Sequence, residues 1–99
     1  MQMAYGSVDS QGSILNGSGN FSVAKTGTGR FTVTIQGSSS TVPTVTTSLY
    51  DTSAASAVVQ ITSTNGGSGN QPTFTVWTGH MDQDSGIDIY VFSFIAVWD

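Results

Sequence analysis

Apolar and polar residues alternate along most of this chain, and short runs of Gly, Ser, Asn and Asp separate the alternating segments. A period of two places successive side chains on opposite faces of a β-strand, and no window keeps the helical period of about 3.6 residues for more than a turn or two. The pattern predicts seven to eight strands, at 4–8, 14–15, 21–23, 31–35, 45–49, 57–61, 74–78 and 87–98. This spacing is typical of a single all-β domain over residues 1–99, an antiparallel β-sandwich of jelly-roll-like type.

Turn-forming residues mark where the chain reverses direction. The sequence Thr-Gly-Thr-Gly at 26–29 predicts a hairpin, because glycine adopts the positive φ that such a loop needs. The sequence Asn-Gly-Gly-Ser-Gly-Asn at 65–70 predicts a flexible loop before the strand at 74–78. Pro43 has no N–H to donate to a neighbouring strand, so it suits the edge or the start of the strand that follows it.

The predicted last strand, 87–98, is apolar on both faces. One face carries Ile87, Ile89, Val91, Ile95 and Val97. The other face carries Tyr90, Phe92, Phe94, Ala96 and Trp98. A chain of this length has one small core and, without cysteines, no disulfide framework, so we expect other copies of the chain to cover part of this strand. We assign the interface of a homo-oligomer to Tyr90, Phe92, Phe94 and Trp98. A trimer would bury this face around its threefold axis.

Charge is sparse, since the 99 residues include two basic and six acidic side chains, with a net charge of −4. We expect no nucleic-acid partner, because neutralising phosphates requires clustered Lys and Arg. The N-terminal residues show neither the basic nor the apolar region of a secretory signal. The apolar run at 87–98 is shorter than the roughly 20 residues of a membrane-spanning helix, so we expect no membrane insertion.

The first third of the chain carries strand and turn motifs in a distinct order. They are an Ala-aromatic strand at 4–5, a Gly-rich turn at 12–19, an Asn-x-Ser strand at 20–22 and Gly-x-Gly-x-aromatic-Thr-Val at 27–33. Together with the Phe-x-Phe strand at 92–94, they resemble a module of bacteriophage tail-fibre and other virion proteins. The resemblance implies a trimeric, non-enzymatic β-module exposed on a virion, which attaches to the host surface or caps a fibre. Residues 37–71 match no part of this pattern, and Tyr50 is only a loose counterpart of the aromatic residue near the third strand.

An aromatic and polar cluster near one strand end is the candidate ligand-binding site. Its residues are Trp77, His80, Asp82, Gln83 and Asp84. An indole beside polar side chains suits a sugar ring, which has an apolar face and hydroxyl groups. Trp77 also has the opposite strand parity from Phe74 and Val76, so it is equally consistent with an interface or with a second buried face.

The segment 82–88, Asp-Gln-Asp-Ser-Gly-Ile-Asp, has the alternating acidic residues of a calcium loop. Its glycine stands two residues after the second aspartate, and the chain has no Glu to serve as the bidentate closing ligand. Asp88 also enters the predicted last strand. A solvated acidic turn is therefore the favoured interpretation, and we expect neither a metal nor a cofactor.

No catalytic set emerges from the sequence, which lacks a Gly-x-Ser-x-Gly motif and cysteine and has a single histidine. Asp82 with Asp84 forms a turn pair more readily than the two separated carboxylates of a glycosidase. We expect a non-enzymatic, homo-oligomeric virion or fibre module outside the cell that attaches to a host surface, with a cell-surface glycan as candidate ligand, or that caps a fibre. The alternative is a free-standing soluble lectin that binds carbohydrate near Trp77 and the 79–88 loop.

Overall fold

The computed structural model describes residues 1–50, 56–81, 86–87 and 90–99, and all of its regular elements are β-strands. Eight strands follow one another: β1 Gln2–Val8, β2 Ile14–Gly17, β3 Phe21–Gly27, β4 Arg30–Ile35, β5 Thr44–Tyr50, β6 Ala57–Gly67, β7 Asn70–His80 and β8 Val91–Trp98. They form two four-stranded antiparallel sheets, sheet I with the order β2-β1-β8-β5 and sheet II with the order β3-β4-β7-β6. The predicted antiparallel β-sandwich is confirmed. The described residues include no helix of the length and apolar character needed to cross a membrane.

The core lies between the inner faces of the two sheets. Sheet I contributes Ala4, Val8, Phe92, Phe94, Ala96 and Trp98, and sheet II contributes Phe21, Phe31, Val33, Ile35, Phe74 and Val76. Aromatic rings meet at its centre, where the ring of Phe94 packs edge-on against Phe21 and Phe74 at centroid distances of 4.9 and 5.0 Å. This geometry is one that aromatic pairs prefer, because the positive ring edge faces the negative ring face.

The burial of side chains in and next to β8 contradicts the predicted interface. Tyr90, Phe92, Phe94 and Trp98 are at most 5% exposed within a single chain. Sheet II covers the face of β8 that carries Phe92, Phe94 and Trp98, and Tyr90 is buried before the strand begins. All four side chains are thus buried within one chain, and the assignment of an oligomer interface to them is wrong. The opposite face of the strand stays uncovered, and Ile95 on it is 51% exposed. Homo-oligomerisation itself stays a prediction.

The two hairpins of sheet II can be compared with the turns predicted from the sequence. The chain reverses at Thr28 and Gly29, where Gly29 has a φ of 64°, so the predicted hairpin is confirmed. The loop predicted at 65–70 is instead mostly strand. The pairing of β6 with β7 continues to Gly67 and Asn70, and a two-residue turn at 68–69 closes it. Positive φ angles at three glycines and Ser68 fit the chain to this bulged turn.

Candidate functional site

An open groove of about 730 Å³ lies on sheet II, near the end of β7. It is lined by Arg30, Val58, Gln60, Thr62, Trp77, His80 and Met81. Its volume lies within the range of small-molecule sites, and its lining combines apolar side chains with a few polar groups.

Strand register brings three of these side chains into a row. Trp77 of β7 pairs with Arg30 of β4 on one side and with Gln60 of β6 on the other. Directly opposed residues in antiparallel strands share a face and have Cβ atoms about 5 Å apart. A guanidinium, an indole and a carboxamide therefore stand side by side on the outer face of the sheet.

Gly79 allows the indole of Trp77 to lie close against the sheet. Both residues are on β7 and share a face, and a Cβ atom at Gly79 would stand only 2.5 Å from Cζ2 of Trp77 and 2.7 Å from Cη2. Any side chain at position 79 would therefore displace the ring. In this position Trp77 is only 8% exposed, so it forms the floor of the groove, while Gln60 and Thr62 are exposed.

The indole N–H of Trp77 is buried and has no hydrogen-bond partner in the described part of the chain. A buried donor without an acceptor costs about 1–3 kcal/mol. The donor belongs to a side chain of the groove floor, so a ligand oxygen that reached it would remove this cost. Buried unpaired polar groups of this kind are uncommon in folded proteins.

A hydrogen bond to the core orients His80 at the end of the groove. Its Nε2 atom lies 2.6 Å from the hydroxyl oxygen of Tyr90, which is 5% exposed. Because Tyr90 is held in the core, the bond fixes the plane of the imidazole. Nδ1 is then the ring nitrogen that can meet a ligand.

Hydrogen bonds to Thr78 hold the segment 86–87 beside the groove. Thr78, which is 1% exposed, donates its hydroxyl to the carbonyl of Ile87 at 3.1 Å, and the N–H of Ile87 donates to the carbonyl of Thr78 at 3.0 Å. The backbones approach so closely that a Cβ atom at Gly86 would stand 2.0 Å from the carbonyl oxygen of Thr28. Any larger residue at position 86 would therefore force these backbones apart. Ile87 consequently pairs with β7 and lies outside β8, whose predicted start at residue 87 is wrong.

Arg30 supplies positive charge to a protein that is otherwise acidic. It is exposed, and it is the only arginine in the chain. Within the described ranges the one ion pair joins the N-terminal amine to Asp99 at 3.7 Å, so no carboxylate there neutralises Arg30. No group of three or more His, Asp or Glu residues that could hold a metal occurs among these residues either.

The structure brings together two of the five residues that the sequence analysis proposed for a ligand site. Trp77 and His80 line the same groove. Asp82, Gln83 and Asp84 lie outside the described residues, as does Asp88 of the segment considered for calcium. Arg30 and Gln60 were not predicted. They stand 30 residues apart in the chain and meet only through β7, which no local pattern reveals.

Comparison of the chain with protein-family models, with curated proteins and with solved structures gives no match.

Proposed function

We propose that this protein is a non-enzymatic attachment module of a virion or fibre surface, which acts as a homo-oligomer and binds a host-surface glycan through the Trp77 groove. The observation that carries the proposal is the row of Arg30, Trp77 and Gln60 across the groove. The first third of the chain resembles virion modules. This resemblance supports a location of the protein on the surface of a virus particle, outside the cell.

The groove offers the groups that a sugar ring uses. A sugar has an apolar face of C–H bonds and a rim of hydroxyl groups that both donate and accept hydrogen bonds. Trp77 and Val58 supply apolar surface, and Gln60 supplies a carboxamide that donates and accepts. Arg30 adds five N–H donors, which also suit the carboxylate of an acidic sugar.

The same lining argues for binding without catalysis. None of its seven described side chains is a carboxylate, so these residues contain no pair of acidic groups of the kind that glycoside hydrolysis uses. The groove has one imidazole, and its Nε2 atom is engaged by Tyr90.

Weak binding at one groove makes the oligomer part of the function. At about 0.3 kcal/mol per non-hydrogen atom, a sugar of about a dozen such atoms binds with a Kd of about 2 mM. Several grooves on one particle raise the overall avidity by about 10²- to 10⁴-fold without any new contact. A multimeric surface module therefore needs no deep pocket.

A glycan array tests the proposal with wild-type protein and matched surface variants. Gln60→Ala and Arg30→Met remove polar groups of the groove, while Thr34→Ala changes the same sheet at a distance from it. We expect the wild type to bind a limited set of glycans, Thr34→Ala to bind the same set, and both groove variants to lose at least about tenfold in apparent affinity, the effect of one good hydrogen bond. An array without signal for a folded wild type would contradict the proposal and favour a fibre cap that has no ligand.

A free-standing soluble lectin is the second candidate, and one observation favours it. Trp77 and His80, the two residues of the predicted lectin site that lie in the described part of the chain, line the same groove. A lectin of this kind would keep its affinity for an immobilised glycan as a monomer, whereas the attachment module would lose avidity when its assembly dissociates. Binding measured at concentrations above and below the dissociation point separates the two.

A further inference from the structure

We propose that the outer face of sheet I is the surface on which a second copy of this chain docks. This inference rests on the homo-oligomeric part of the proposed function and is independent of the groove, which lies on sheet II. The occupant is the same face of another copy, in an isologous contact about a twofold axis.

The centre of this face is apolar and exposed. Met3 and Tyr5 of β1 are each 48% exposed, and Ile95 of β8 is 51% exposed. The register places Met3 opposite Val97 and Tyr5 opposite Ile95, so the four side chains form one contiguous patch on the two central strands of the sheet. Central strands carry exposed aromatic and β-branched residues of this size where another layer packs on them.

The two outer faces of the sandwich differ sharply in chemistry. On sheet II the corresponding central strands carry partly buried threonines, with Thr32 opposite Thr75 and Thr34 opposite Thr73. A hydroxyl face of this kind is stable in water. The contrast shows that the apolar residues of sheet I are a local feature and not a general property of the surface.

Charge favours a second copy as the occupant. Strands β1, β2, β5 and β8 contain no charged residue, although the chain as a whole has a net charge of −4. Two copies that meet through these strands bring no like charges together within the contact. A partner chosen for charge complementarity would find no charged side chain on this sheet to recognise.

One pair of hydroxyl groups on the face is already partnered. Ser48 of β5 and Ser93 of β8 stand opposite each other, and their hydroxyl oxygens are 3.0 Å apart in a hydrogen bond. Burial of this pair leaves no hydroxyl without a partner, so it adds little desolvation cost.

The size of the face suits a specific contact. Strands β1, β2, β5 and β8 contain 7, 4, 7 and 8 residues, and at about 3.3 Å per residue and about 4.8 Å between strands they give a flat area of roughly 400 Å² per copy. Two faces together give roughly 800 Å² of flat area, to which protruding side chains add, so the contact approaches the roughly 1,200 Å² at the lower end of specific interfaces. One flat face is buried completely by one other copy, which favours a dimer over the trimer that the virion resemblance implies.

Light scattering on a sizing column, over a dilution series, tests this assignment. We expect a wild-type dimer, and we expect Ile95→Lys to weaken association by about 100-fold or more, because the twofold axis introduces the lysine twice into an apolar contact. Thr34→Lys, a lysine at the centre of sheet II, is the matched control and should stay dimeric. Ile95→Thr, a milder polar change, gives the same comparison if the lysine variant does not fold.

The outcomes are distinguishable from those of the groove. A dimer that Ile95→Lys dissociates, and that Gln60→Ala leaves intact, supports the assignment whether or not a glycan binds. A wild type that is monomeric at every concentration overturns it. A trimer, or a dimer that survives both changes at Ile95, overturns it as well, because the outer face of sheet I would then not be the contact.

Discussion

The Phe94→Ala substitution should lower the free energy of unfolding by about 4 kcal/mol. Phe94 is 2% exposed and lies at the centre of the core. Truncation of a buried phenylalanine to alanine typically costs about 3–5 kcal/mol, from lost transfer energy and from the cavity that remains. The edge contacts with Phe21 and Phe74 place Phe94 well inside this range. A domain of this size has a total stability of about 5–15 kcal/mol, so the variant should still fold while its denaturation midpoint falls strongly.

Ile95→Ala is the matched control, because it changes the next residue of β8 on the opposite face. Ile95 is about half exposed, so its truncation should cost about 1 kcal/mol in the monomer. Urea denaturation followed by tryptophan fluorescence measures both variants at several protein concentrations. The loss in Phe94→Ala should be the same at every concentration, since it arises within one chain. A loss below about 1.5 kcal/mol, or one that vanishes on dilution, would refute the placement of Phe94 in the core.

Three further changes probe the surroundings of the groove. Thr78→Val removes the hydroxyl that binds the carbonyl of Ile87 and should cost about 1–2 kcal/mol in urea denaturation, whereas Thr78→Ser should cost less. Gly79→Ala places a methyl group where the Trp77 ring lies, so the near-ultraviolet circular dichroism of the indole should change and glycan binding should weaken; an unchanged spectrum would contradict the close packing. Tyr90→Phe frees His80 Nε2 and should reduce glycan affinity by a few-fold while the mass in solution stays constant; unchanged affinity would show that the orientation of the imidazole is irrelevant.

Much of the fold follows from local pattern. The alternation of Phe31, Val33 and Ile35 predicts one buried face of β4, and all three side chains are at most 1% exposed. The glycines at 27 and 29 predict the β3–β4 hairpin for a physical reason, since the turn requires a positive φ at Gly29. These features depend on residues that are close together in the sequence, so a local pattern is enough to predict them.

Features that depend on pairing between distant strands were not predictable in the same way. Strand β8 is apolar on both faces, so its pattern cannot decide which face sheet II covers, and the aromatic face was assigned to the wrong environment. The row of Arg30, Trp77 and Gln60 depends on two separate registers. The segment 65–70 was predicted to be a loop from its glycines, yet cross-strand hydrogen bonds extend the strands through most of it. Local propensity is overridden in each case by tertiary pairing.

The two indole N–H groups report directly on whether the Trp77 groove binds a glycan. Both Trp77 and Trp98 carry buried N–H groups without a partner among the described residues, but only Trp77 lines the groove, so Trp98 is an internal control. Proton–nitrogen correlation spectra recorded during titration with the best glycan from the array resolve one indole signal for each tryptophan. We expect the Trp77 signal to shift with saturation while the Trp98 signal stays in place. A bound glycan that leaves the Trp77 signal unmoved, or that moves only the Trp98 signal, would contradict this expectation.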